Sequence, residues 1–372
     1  MNTSILSLVI FGAVLVGSIF IHEFGHFVAA RLLKVEVEEF GFGFPPRIVK
    51  LFHWKGTDIT LNWLPFGGFV RPKGENDPAI KGGLAAASPW TRLGVLVAGP
   101  SMNLLVAVVV FSLIFLNIGV PDYQQVQIGA VLPGSPAADA GILANDIVAS
   151  VNGVAVTDSG QLHDLIYANL DKPVQLGVRR GAETLTVTAV PSSTRPADQG
   201  ALGISSMGPA MVKPRSALTA VRYGAIAVGA QMRALVSLPA MLVRGQLTPE
   251  EGRVIGFKGI YDMFGQAVSR DIQSRETPPS GSPAASTETP TFFTLQLIGI
   301  LSVSLGVLNL FPFPALDGGR ILFVLPELIL RRRVPASWEN TINAAGMIVL
   351  LAFMVYVNVM DFINPAVVVL PK

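Results

Sequence analysis

The sequence predicts a multi-pass α-helical membrane protein with about four transmembrane helices, a membrane-associated β-hairpin on the cytoplasmic side and an extracytoplasmic α+β domain. Three observations carry this expectation. Of the 372 residues, 51% are apolar and only 14% are charged, and the mean hydropathy of +0.54 lies well above that of soluble domains. Four apolar runs reach about 20 residues, the length a hydrocarbon core of about 30 Å demands. Between the second and third of them lies a long polar stretch, which reads as a soluble insert.

The four runs are residues 5–33, 93–120, 292–310 and 342–362. The first has no basic leader and outlasts the usual apolar stretch of a signal peptide, so it is expected to be a retained span. Basic residues set the orientation. Arg31, Lys34, Arg47, Lys50, Lys55, Arg71, Lys73, Lys81 and Arg92 lie between the first two spans, and Arg320, Arg331, Arg332 and Arg333 between the last two. Both loops are expected in the cytoplasm, with the termini and the polar middle outside.

In the first loop, residues 40–46, 48–52 and 58–70 alternate apolar and polar positions around Lys55-Gly56, the pattern of a β-hairpin. Strand edges at membrane depth need protein or an aqueous cavity against them, so this hairpin belongs beside a cleft, where an edge can take up an unwound peptide by strand addition. The alternative is a hairpin resting on the lipid headgroups. Beyond the second span, a strand at Gln127, a short helix opened by Ser135-Pro136 and stopped by Gly141, and a second strand with an Asn152-Gly153 turn follow in order. A helix over 161–170 and strands over 174–179 and 184–190 complete the insert. Residues 217–243 are long enough for a fifth span, but Arg222, Arg233 and Pro239 argue for amphipathic helices on the outer leaflet or against the insert. Residues 276–290, rich in Pro, Ser, Thr and Ala, read as a flexible linker.

Composition also excludes. With no cysteine there are no disulfides, thiolate metal sites or cysteine nucleophiles. A net charge of +2, without a basic run interleaved with aromatics, gives no basis for a nucleic-acid partner. Lipid and protein are the expected partners.

The chemistry concentrates in His22-Glu23-Phe24-Gly25-His26, inside the first span. Two histidines four apart fall within about 40° of each other on a helix and can share a metal ion, with Glu23 placed to hold and deprotonate a bound water. Ionisable groups at such depth cost at least a few kcal/mol each, so a functional site is the expected reason for them. Counted back from Arg31, His26 lies about 7 Å and His22 about 13 Å inside the cytoplasmic boundary. Two imidazoles leave a catalytic zinc short of a third ligand. Asp317 is the candidate, in Asn309-Leu-Phe-Pro-Phe-Pro-Ala-Leu-Asp-Gly-Gly-Arg320, where prolines break the helix and Gly318-Gly319 allows the backbone close to the metal. His53, on the hairpin, and His163, in the insert, are less suitable.

The insert resembles a PDZ domain of the bacterial protease type over about 127–191. The whole chain resembles the site-2 protease family of intramembrane zinc metalloproteases, in its bacterial branch with one PDZ domain. The residues that carry the likeness are His22-Glu23-Phe24-Gly25-His26, Ala98-Gly99-Pro100-Ser101-Met102-Asn103, and Asn309 to Gly319 with Pro312, Pro314 and Asp317. The resemblance implies zinc on His22, His26 and Asp317, Glu23 as general base and acid, and Asn309 as a contact to unwound substrate, a helix-capping role being its alternative. Gly99, Pro100 and Asn103 would permit close packing or local unwinding of the second span. It divides the chain into a membrane core (1–120), the PDZ domain (121–195), an amphipathic helical segment (196–275), the linker (276–291) and a second membrane core (292–372). The implied activity is a zinc metalloendopeptidase of the bacterial inner membrane, cutting single-span proteins or remnant membrane peptides such as anti-sigma-factor-like proteins and signal-peptide remnants. An upstream protease of the site-1 type would be a partner. Gly256-Phe257-Lys258-Gly259-Ile260 departs from the family's Gly-Pro-x-Gly-Ile, which leaves the docking of that segment open.

Three other readings compete. A catalytically silent PDZ scaffold for membrane partners would have no use for Glu23 beside the metal, and a metal transporter or sensor would need polar residues repeated along several spans. A membrane-bound zincin with its site in the cytosol would act on soluble proteins.

Overall fold

The computed structural model describes residues 3–196, 199–248, 252–276 and 292–365. The expected linker over 276–291 lies almost wholly outside them. Two compact units form: one from Met1–Ser112, Val221–Gln273 and Thr291–Lys372, the other chiefly from Leu113–Ala220.

The first unit opens with α1 (Thr3–Leu32), whose 30 residues extend about 45 Å. It ends in a left-handed cap. Lys34 takes φ 61°, its N–H reaches Arg31 O, and the Val35 N–H reaches Ala30 O at 2.8 Å. This Schellman arrangement satisfies the last carbonyls and turns the chain directly into a strand. That strand, β1 (Val37–Trp54), and β2 (Thr57–Pro72) pair antiparallel about Lys55 and Gly56, both at positive φ, as a two-residue hairpin turn requires.

The hairpin is more folded than the alternation suggests. Residues 39–42 have partners on both sides, 58–61 on one and 68–71 on the other, while 49–54 pair with 57–61. Each long strand therefore doubles back, and four ribbons lie side by side. The reversals use Gly43 and Gly67, at φ 80° and 83°; a Cβ on Gly43 would sit 2.5 Å from Leu64 O. Ribbon 68–72 is the outer edge, and it lies against α1, where a Cβ on Gly67 would strike Ile19.

Helix α2 (Pro89–Ile118) begins at Ser88, whose Oγ accepts from the Thr91 N–H at 3.2 Å, with Pro89 in the first helical position. Helices α1 and α2 cross tightly. A Cβ on Gly25 would lie 2.5 Å from Ala98 O, and one on Gly99 would overlap the His26 ring. Small residues at a crossing let backbones approach where lipid supplies no hydrophobic drive.

The later helices of this unit are α5 (Ala217–Val243), α6 (Phe257–Glu276), α7 (Phe293–Leu310), α8 (Asp317–Leu330) and α9 (Ala336–Ile363). Gly299 and Gly306 seat α7 against Phe111, Leu104 and the Pro100 carbonyl of α2. Asp271 of α6 caps α7 by accepting from the Phe293 and Thr294 N–H groups. In the segment that departs from the family pattern, Gly256 and Gly259 donate to the buried Asp361 of α9, which also pairs with Arg253 at 2.9 Å. Arg92, 6% exposed at its side chain, joins α2 to Glu327 of α8 and Glu339 of α9.

Among the described residues, five helices are long and apolar enough to span a bilayer: α1, α2, α5, α7 and α9. Such a set fits a multi-pass membrane protein. The fifth, α5, is the segment that the sequence assigns to the membrane surface. It is one continuous helix with Pro239 inside it, and Gly224 approaches Val108 and Ser112 of α2, in an apolar part of that helix.

In the second unit, β3 (Val120–Val131), β4 (Ile147–Val151), β5 (Val154–Ala155), β6 (Val174–Arg180), β7 (Glu183–Ala189) and β8 (Ile204–Val212) form a sheet in the order β7-β6-β4-β3-β8, with β5 on β4. Ser135 caps α3 (Pro136–Asp139) and Asp158 caps α4 (Ser159–Tyr167). Ile128, Val148, Leu176, Leu162 and Ile166 fill the core between sheet and α4. Strand β8 pairs with β3 beyond residue 195, so the sheet extends past the boundary expected from the sequence.

Candidate metal centre

One end of α1 presents His22, Glu23 and His26 to a cavity of about 370 Å3, whose far wall is the junction of α7 and α8. That junction is shaped by its prolines. Helix α7 stops at Phe311, which is extended because Pro312 follows; Ala315 takes φ 80°, and its N–H donates to Asn343 Oδ1 at 3.3 Å. Gly318 and Gly319 then nest the first turn of α8 onto the carbonyls of Leu310, Phe311 and Phe313, leaving no room for a Cβ. The glycines make close contact with the chain's own backbone, and this contact aims Asp317 at α1.

His22 Nε2 and His26 Nε2 are 3.1 Å apart, and Asp317 Oδ2 lies 3.1 Å from the first and 3.3 Å from the second. Both histidines are 8% exposed. Among the described residues this is the one group of three His, Asp or Glu donors close enough to share an ion. A tetrahedral zinc with bonds of about 2.0–2.1 Å holds its donors about 3.3 Å apart, so the triangle fits. The chemistry fits too. Asp317 Oδ2 is buried and makes no hydrogen bond, a condition that costs about 1–3 kcal/mol unless a cation meets it.

The surroundings orient these groups. His26 Nδ1 lies 2.8 Å from Val95 O, and since a carbonyl only accepts, Nδ1 carries a proton, so that in the neutral ring Nε2 has its lone pair toward Asp317. Glu23 Oε2 accepts from the Val70 N–H of the edge ribbon at 3.2 Å. Asn309 Nδ2 donates to Leu305 O at 3.0 Å, so its Oδ1 is the free end of the amide, and Asn309 lines the cavity. Glu75 and Arg320, also on the wall, form an ion pair. His53 pairs with Asp58 at 2.6 Å, and His163 stacks on Tyr167.

The fold therefore gathers His22, Glu23, His26, Asn309 and Asp317 around one cavity. Sequence reasoning misses Val70, Val95 and Glu75. The first two act through backbone atoms, which no side-chain pattern announces, and Arg320 was legible only as one more loop cation.

An apolar helix bundle with two imidazoles, a carboxylate donor and a neighbouring glutamate defines a membrane metalloprotease. Residues 10–353 match Peptidase family M50, and the chain belongs to that family, the zinc-dependent site-2 proteases. A relative from Clostridium perfringens that bears the name of a zinc metalloprotease is 32% identical over 353 residues, covering 93% of this chain and 96% of its own. Another so named, from Campylobacter jejuni, is 31% identical over 356 residues, covering 92% and 89%. Metalloprotease MmpA of Caulobacter vibrioides is 26% identical over 366 residues, covering 90% of each. The protein is a zinc metalloprotease of the membrane.

Proposed function

We propose that this protease cuts transmembrane segments of single-span proteins or remnant membrane peptides, as in regulated intramembrane proteolysis, with zinc held by His22, His26 and Asp317. The observation that supports this reading most is the meeting of donors from α1, an apolar helix, with Asp317 at the start of α8. Zinc supplies Lewis acidity to the scissile carbonyl. Glu23 takes the proton of the attacking water and returns it to the leaving amine. Its Oε2 is engaged by the Val70 N–H, which leaves Oε1 for the proton. Asn309 Oδ1 accepts from the peptide N–H of an unwound substrate, and the outward backbone groups of ribbon 68–72 other than the Val70 N–H, which stays with Glu23, receive that substrate by strand addition.

The basic loops favour a site reached from the cytoplasmic face of a bacterial inner membrane, with the second unit outside. That unit is read as a PDZ domain, on its sheet, its capped α4 and a groove of about 250 Å3 between α4 and the start of β8. Anti-sigma-factor-like proteins or signal-peptide remnants, trimmed first by a site-1-type protease, are the substrates of this kind.

Wild type and Glu23→Gln, reconstituted in liposomes with a single-span substrate, test the reading. The variant is expected to keep its zinc and lose about 10²–10⁴-fold in rate. Equal rates, or cutting confined to soluble substrates, would remove it.

A further inference from the structure

One buried charge in the first unit lies outside the metal centre yet is tied to it through the sheet. Glu39, 3% exposed, sits where the four ribbons meet. Its carboxylate takes Arg47 from the fold-back at 2.8 Å, the Thr60 hydroxyl from ribbon 57–62 at 2.8 Å, and Arg71 from the edge ribbon at 2.5 Å. Arg71 also reaches Glu38 at 3.4 Å. Around it, Thr57 donates to Val37 O and Asn62 to Gly43 O, so a polar spine holds the inner ribbons in register. Burial opposes ionisation of Glu39, but the hydrogen bonds from Arg47 and Thr60 and the charges of Arg71 and Arg47 outweigh it and hold its carboxyl below the usual glutamate range.

The register partner of Glu39 on the edge ribbon is Arg71, and that of Phe40 is Val70. A strand that slips by one residue turns every side chain and every N–H to the opposite side. The ribbon is poorly fixed by its own composition: Gly67 precedes it, Gly68 opens it, and Pro72 ends it. The Val70 N–H bond to Glu23 ties its outer side to α1, and the Lys73–Glu36 pair ties the chain just beyond its end; the carboxylate of Glu39, through Arg71, is the side-chain bond that ties it to the buried centre of the sheet.

We propose that Glu39 is a positioning residue for proteolysis: by gripping Arg71 it fixes the register of the edge ribbon, and so sets both the Val70 N–H against Glu23 and the peptide edge that aligns the substrate. This rests on the strand-addition reading above. Wild-type cleavage and the blank from Glu23→Gln test the proteolytic activity separately, so failure of that activity is distinguishable from failure of the inference.

The experiment compares Arg71→Gln, Arg47→Gln and Glu39→Gln in the full-length protein in liposomes, following zinc content, kcat, KM and the cut position by mass spectrometry. Arg71→Gln frees only the edge ribbon and leaves Glu39 with Arg47 and Thr60. It is expected to retain stoichiometric zinc, lose about tenfold to a hundredfold in kcat/KM chiefly through KM, and spread its cuts over neighbouring bonds. Arg47→Gln removes as large a charge from the same carboxylate, but on the far side, and should cut at the wild-type bond. Arg71→Lys, which keeps a cation within reach of Glu39, should restore much of the single cut. Should Glu39→Gln fail to fold, the two arginine variants still decide. Equal effects of both with an unchanged cut position, or an Arg71→Gln enzyme with wild-type KM and a single cut, would overturn the proposal.

Discussion

Replacing Gly99 by alanine adds a single methyl group, and the structure fixes where it goes: onto the His26 imidazole, overlapping Nε2, the atom that faces Asp317 and His22. Carbon and nitrogen settle at about 3.5 Å, so the ring must retreat by about 1 Å or α2 must move away from α1 by as much. Neither is cheap. The ring is held from the other side by Val95 O at 2.8 Å, and α1 and α2 touch again at Gly25, whose own Cβ would sit 2.5 Å from Ala98 O. Forcing a well-packed crossing apart costs about 1–3 kcal/mol. Metal ligands tolerate about 0.2 Å, and a misplacement of 1 Å at a reacting centre costs about 10²-fold, or about 2.7 kcal/mol of barrier. Gly99→Ala is therefore expected to bind zinc substoichiometrically and to lose about 10²-fold or more in kcat/KM, while remaining helical by circular dichroism. Gly12→Ala, on the same helix as His26 with no heavy atom within 4 Å of the added carbon, is the control and should match wild type in both assays. Zinc by mass spectrometry of purified protein and cleavage in liposomes supply the readouts. A Gly99→Ala enzyme with one zinc per chain and wild-type turnover would refute the packing argument.

Two further outcomes follow from the same geometry. Asp317→Asn keeps the shape at the start of α8 but removes the anionic donor; purified protein should lose stoichiometric zinc with its helical content unchanged, and retained zinc would remove Asp317 from the ligand set. For Glu39 the sign is that of a carboxyl held below its usual range: its contribution is present above the unfolded value of about 4.3 and is lost as pH falls through the lower folded value. Fluorescence of Trp54 and Trp63, on the sheet, should therefore report acid loosening below about pH 4 that Glu39→Gln lacks, and identical acid transitions would argue against a charged Glu39 in the folded sheet.

The likeness between motif and geometry was uneven along the chain. His22 and His26 were legible because a helix of 3.6 residues per turn puts positions four apart on one face whatever surrounds them. The hairpin turn at Lys55-Gly56 was legible for a similar reason, since it needs positive φ at two adjacent residues. The doubling back of both strands was not. Alternation of apolar and polar residues reports which face a side chain takes, not which ribbon lies beside it, and the pairing of 39–42 with two partners at once is a long-range choice. Strand β8 escaped notice because its sequence, Ile-Ser-Ser-Met-Gly-Pro-Ala-Met-Val, carries weak strand propensity and owes its form to pairing with β3. Helix α5 shows the same limit in another form: Arg222, Arg233 and Pro239 are what the sequence offers for placing it, whereas the close approach of Gly224 to α2 is a property of the pair of helices.

By itself, then, the order of residues determined the apolar runs, the metal-ready face of α1, and a candidate acidic third donor, Asp317, after a proline-broken helix. Those are local properties, set by period, length and the conformational limits of proline and glycine. Only the tertiary structure decided that Asp317 Oδ2 lies 3.1 and 3.3 Å from the two imidazoles, that Val95 O selects the tautomer of His26, that Val70 engages Glu23, and that Gly99 yields its space to a ring. The first joins side chains nearly 300 residues apart, and the others join distant segments through backbone atoms or through the absence of a side chain; a one-dimensional pattern has no term for any of these.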